Sequence, residues 1–154
     1  MNDWNTLRTD IWTMNLPPGW SQGTPSGGGS LYFESSDGTK GIYVTTWNLG
    51  ADDPRAAEDI VEAFQVADLD ALKKMKDYEW RLLGKSAHDG GGYFMGITDQ
   101  LADDKCYRTV GKIIAAPPFV VRAAFNDYAC SDYHASQTYF APIIASLQLY
   151  NPKT

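Results

Sequence analysis

Hydrophobic and polar residues alternate in short runs along most of this chain, and only two stretches switch to a helical period. Ile11-Trp12-Thr13-Met14-Asn15-Leu16 alternates and predicts a first strand, stopped by Pro17-Pro18-Gly19. Proline removes a ladder donor and glycine tolerates positive φ, so a strand ends there. Leu31–Ser35 and Gly41–Trp47 flank Asp37-Gly38, a hairpin signal because a primed turn needs positive φ at its centre. From about Pro54 to Met75 the apolar residues Ala57, Ile60, Val61, Phe64, Ala67, Ala71, Leu72 and Met75 recur at three- and four-residue steps. That stripe predicts a helix lying on a sheet, with Asp53 as N-cap, Pro54 at the first helical position and lysines in the last turn.

The second half reads as a meander. Strand patterns cover Glu79–Ala87, Tyr93–Leu101, Lys105–Ala115 and Phe119–Ala129, joined at Asp89-Gly90-Gly91-Gly92, Asp103-Asp104 and Pro117-Pro118. Turns this short require antiparallel neighbours. A closing helix spans about Ser131 to Ser146, capped by Ser131 or Asp132 and interrupted by Pro142. The expected fold is α+β: a mostly antiparallel six- to seven-stranded sheet with two flanking helices, in the order β-β-β-α-β-β-β-β-α. The 154 residues fit a single domain with its core at about 10–149.

Folding the last hairpin about Pro117-Pro118 suggests Ile113 opposite Ala123 and Gly111 opposite Phe125 on an apolar face. Arg108, Lys112, Arg122 and Asn126 then share a polar face, and Cys106 opposes Cys130 within reach of a disulfide. In a reducing compartment the same two residues remain adjacent thiols.

Composition narrows the class of activity. With 13 Lys and Arg against 19 Asp and Glu the net charge is −6. Nucleic acid and anionic membrane are unexpected partners, because both demand clustered cations. A basic protein partner is favoured by steering. No apolar run approaches a membrane span, and Met1–Asn5 carries no secretory pattern. The chain is expected in the cytoplasm, or in the periplasm if a signal peptide has been removed.

Candidate chemistry is sparse. Gly27-Gly28-Gly29 leads into a strand pattern without the Lys-Ser/Thr and helix of a phosphate loop. Ser131, Asp132 and His134 are too close in sequence to converge as a triad, and Gly-x-Ser-x-Gly is absent. Asp68, Asp70 and the acids from Asp99 to Asp104 lack the ligand order of a calcium loop. No cofactor or metal is expected, and no enzyme. Two helices cannot blanket seven strands, which leaves Tyr32, Tyr43, Trp47, Tyr107 and Tyr128 as candidates for an accessible aromatic face. The expected protein-binding residues are Trp47, Tyr107 and Tyr128 as anchors, with Asp99, Asp103 and Asp104 as an acidic rim.

Asn15-Leu16-Pro17-Pro18-Gly19-Trp20, the Asp-Gly hairpin within Leu31–Val44, the long helix, the meander and the ending Ile143–Leu149 resemble the Mog1/PsbP-like superfamily, including DcrB-related and type VI secretion chaperone-like bacterial domains. The resemblance implies an antiparallel sheet between helices and binding of proteins, with no catalytic residues to carry over. The function it suggests is a bacterial immunity protein that binds and neutralises a secreted toxin. A secretion-system effector chaperone is the nearest alternative. A small-ligand-binding protein or hydrolase using a cleft near the Gly-rich loop is the alternative of another class.

Overall fold

The computed structural model describes residues 3–24 and 30–150, so the Gly27-Gly28-Gly29 loop lies outside the described residues. The main sheet has seven strands in the order β3-β4-β5-β9-β8-β7-β6. These are β3 (Ser21–Gly23), β4 (Ser30–Glu34), β5 (Lys40–Asn48), β6 (Trp80–Asp89), β7 (Phe94–Ala102), β8 (Tyr107–Ala116) and β9 (Phe119–Asp127). Every pairing is antiparallel. β6 to β9 form the expected meander, and β9 then crosses to β5, a non-local pairing that no turn signal announces.

A second, three-stranded sheet joins β1 (Asn5–Arg8), β2 (Trp12–Leu16) and β10 (Gln148–Leu149), with β2 in the middle. The first predicted strand therefore builds a separate layer. Trp12, Met14 and Leu16 alternate inward against Phe33, Ile42, Val44, Phe125 and helix α2 (Tyr133–Ser146), and this is the larger core. Asp132 caps α2, accepting from the Ala135 N–H at 3.1 Å. Ser146 ties the helix end to β2: its Oγ accepts from the Asn15 N–H at 2.9 Å and donates to the Ile143 carbonyl at 2.7 Å.

Helix α1 (Ala57–Lys73) packs on the opposite face, over the Phe94, Ile113, Ala115 and Val120 end of the central strands. Gly96 makes room for it, since a Cβ there would lie 2.7 Å from Val61 Cγ1 and against the Gln65 amide. The helix begins later than predicted, with Ala56 as an N-cap lacking a side-chain bond. The Asp53 carboxylate instead accepts from the Arg55 backbone N–H and its guanidinium, at 3.0, 3.1 and 2.8 Å. A charged partner two residues away takes the cap's oxygen.

The β8–β9 register also corrects the expectation by one residue. The loop holds two residues, Pro117 and Pro118, so Ala116 pairs with Phe119, Val110 with Phe125 and Ile113 with Arg122. A one-residue slip flips every side chain. Arg108 and Lys112 therefore lie on the α2 side, with Ala123 and Phe125, while Arg122 and Asn126 lie on the α1 side. The four residues do not share a face.

Candidate functional site

The α1 side of the sheet is covered at one end only. At the other end six half-buried aromatic residues run across the strands. Tyr32 on β4 and Tyr43 on β5 are register partners whose rings meet at 4.5 Å. Tyr128, just past β9, meets Tyr107 on β8 edge to face at 5.3 Å. Tyr107 meets Trp80 at the start of β6 at 5.0 Å, and Trp80 stacks on Tyr78 at 5.8 Å with an interplanar angle of 7°. Such offset and edge-on contacts suit the ring quadrupoles and keep the rings in fixed orientations.

Two small residues make the strip continuous. Ala102 on β7 pairs with both Trp80 and Tyr107, so their rings reach each other over a methyl group. Gly41 on β5 leaves room for the Tyr32 and Tyr128 hydroxyls, which would lie 2.5 and 2.8 Å from a Cβ there. Polar bonds anchor the floor. The Asn126 Oδ1 accepts from the Tyr107 hydroxyl at 3.1 Å and from Thr109 Oγ1 at 2.8 Å. Arg122 Nε donates to Asp68 at 2.8 Å, tying the strip's inner border to α1.

Burial dominates the electrostatics. It pushes the Tyr107 phenol up to about 12, and burial followed by the Tyr32 hydroxyl pushes Tyr128 up further. Both are neutral donors at physiological pH. Asp77, Glu79 and Asp104 surround Tyr78 at the strip's end, where the Lys105 ammonium sits 5.6 Å from the Tyr78 ring centroid. The Trp80 Nε1 is buried without a hydrogen-bond partner among the described residues.

The structure brings together only part of the predicted site. Tyr107 and Tyr128 touch. Asp103 and Asp104 sit on the 3-10 turn Asp103–Lys105, Asp103 paired with Arg81 at 3.0 Å. Trp47 lies at the other end of the same face, edge-on to Phe64 at 4.9 Å beneath α1. Asp99 is on the opposite face, where Arg108 holds it at 2.9 Å and the Tyr133 hydroxyl donates to it at 2.6 Å. Tyr78 and Trp80 complete the strip and were not predicted. Ala102, small among large neighbours and opposite Tyr107, was the available signal.

Cys106 and Cys130 are neighbours, the Cys130 N–H donating to the Cys106 carbonyl at 2.7 Å, and both are free thiols. Burial raises the Cys130 thiol. His88 and His134 are exposed. Among the described residues no group of three or more His, Cys, Asp and Glu could hold a metal ion, and no helix is long and apolar enough to cross a membrane.

The architecture matches the solution structure of cyanobacterial PsbP (CyanoP) from Synechocystis sp. PCC 6803, with a TM-score of 0.72 over 97% of this chain and 94% of that one. The chain has a Mog1/PsbP-like fold. Sequence identity to CyanoP is 16%, so the likeness is one of fold. A crystal structure from Bacteroides thetaiotaomicron VPI-5482 is similar at TM-score 0.52 and 16% identity, over 93% of this chain and 46% of that one. No protein-family profile matches the sequence, and no curated protein matches it. The PsbP-like sheet is thus the frame, and the tyrosine strip is built on it by this chain's own residues.

Proposed function

We propose that this domain is a non-enzymatic protein-binding module that grips its partner with the tyrosine strip. The observation that carries the reading is the run of six half-buried rings, two touching groups that meet through the Tyr32 and Tyr128 hydroxyls over Gly41, on a part of the sheet that neither α1 nor α2 covers. Tyrosine and tryptophan dominate binding hot spots because they bury large area at little entropic cost and keep a polar tip. Aromatic surface rimmed by charge is the usual mark of a recognition site. Asp77, Glu79 and Asp104 supply such a rim, and the net charge of −6 favours a basic partner. Within this class the acidic balance and the sequence resemblance support an immunity protein that neutralises a basic secreted toxin.

A photo-crosslinking residue at exposed Lys105, beside Tyr78, tests the surface in lysate of the native host. One defined protein should be captured there and not from exposed Ser86, whose partner Ile97 faces α2. Equal capture from both positions, or none from Lys105, contradicts the reading. Co-expression then separates the roles. Relief of the captured protein's toxicity supports immunity, whereas a partner that is not toxic points to an effector chaperone.

A further inference from the structure

On the face opposite the tyrosine strip, β7, β8 and the end of α2 enclose a cleft of about 610 Å³. That is within the range of small-molecule sites, roughly 300–1,000 Å³. Its walls are mainly aliphatic, including Met95, Ile97, Val110, Ile114, Ile144 and Leu149. Three charged side chains also line it: Asp99, Arg108 and Lys112.

Two of the three satisfy each other. Arg108 gives Nε and one terminal nitrogen to the Asp99 carboxylate at 3.0 and 2.9 Å, and the other terminal nitrogen to Ser136 Oγ at 3.0 Å. Lys112 is the odd one. It is 4% exposed, and its Nζ donates to the Ile144 and Leu147 carbonyls at 2.7 and 2.8 Å. An ammonium has three N–H donors, so one has no protein acceptor among the described residues. The two carbonyls end α2 and offer the partial negative charge of a helix C-terminus, not a full anion. Desolvation alone lowers the Lys112 ammonium to about 8, and no carboxylate opposes that shift. A buried charge without a counter-ion is costly to keep in a fold.

We infer that this cleft binds a medium-chain fatty carboxylate, its head on Lys112 Nζ and its chain against the aliphatic walls. The chemistry selects each half of that ligand. One free N–H and one unmatched positive charge fit a single small anionic head. The walls beyond it offer an unbranched chain mainly apolar contact; the Asp99–Arg108 end is already saturated, Gln137 is held by the Tyr133 hydroxyl, and the other polar lining residues, Tyr93 and Gln148, carry no charge.

The test is calorimetry on the full chain with octanoate, decanoate, dodecanoate, decanol and decylamine. Burial of each added methylene should tighten the carboxylates about fourfold. Decanoate should bind at least tenfold tighter than decanol or decylamine. Lys112→Met should abolish the preference for carboxylate over alcohol while leaving decanol affinity within about threefold. Exposed Ala145, which lines the cleft, supplies the second variant. Ala145→Trp keeps the lysine and should block every probe. Equal affinity for decanoate and decanol overturns the inference, as does decanoate binding that survives Ala145→Trp or no binding at millimolar decanoate.

Discussion

A Cβ at Gly41 would stand 2.5 Å from the Tyr32 hydroxyl and 2.8 Å from that of Tyr128, so this glycine is the seat on which two strip tyrosines rest. The obstructing atoms, those two hydroxyls and the Tyr32 Cε1 at 2.7 Å, all belong to half-buried tyrosine side chains and none to the backbone. Gly41→Ala is therefore expected to cost only about 1 kcal/mol, the low end for overpacking. It should also change the near-UV circular dichroism of the tyrosines. Gly96→Ala meets the buried flank of α1 instead and should cost about 2–3 kcal/mol. Urea denaturation of both variants checks the order.

Asp99 and Asp103 are both ion-paired aspartates, and the structure assigns them different weights. Asp99 pairs with Arg108 at side-chain exposures of 15% and 5%, whereas Asp103 and Arg81 are 62% and 59% exposed. Removing Asp99 leaves a buried guanidinium without its counter-charge. Asp99→Ala should destabilise by about 3 kcal/mol. Asp103→Ala should leave the denaturation midpoint essentially unmoved, because solvent screens an exposed pair. Chemical denaturation at constant pH measures both.

Lys112 gives stability a pH dependence of definite sign. Its folded value of about 8 lies below the ordinary 10.5, so between those values the unfolded chain holds the proton more tightly. Stability then rises with pH. Arg108 and Asp99 share this face but neutralise each other. Tyr107 acts in the opposite sense: its value is raised from 10.0 to about 12, so its contribution is intact below pH 10 and is lost as pH climbs through 12. Denaturation midpoints should therefore rise from pH 8 to 10, and Lys112→Met should flatten that rise.

Much of the frame was legible because its signals are local. Asp37-Gly38, the Asp132 cap and the short meander turns each act over a few residues, and each element is present. What escaped depends on distant pairings. β5 meets β9 across about half the chain, and only that pairing sets Tyr43 beside the last hairpin. The strip was legible in part: four of its six residues, Tyr32, Tyr43, Tyr107 and Tyr128, follow from the shortage of helices. Tyr78 and Trp80 depend on the β6–β7–β8 register over Ala102. Asp99 was misplaced as a rim residue because its face is fixed by pairing with Val110, and the Lys112 cleft was hidden by the one-residue slip at Pro117-Pro118.

The central claim is that the tyrosine strip is the binding surface, and binding kinetics of the captured partner with Tyr107→Ala, Tyr128→Ala and Asp103→Lys test it most directly. Each tyrosine variant should lose at least about 1.4 kcal/mol, a tenfold change, mainly through faster dissociation. Asp103→Lys should chiefly slow association, and more so at low salt. Affinities within threefold of the parent for both tyrosine variants, with folding intact, would contradict the account and place the interface elsewhere.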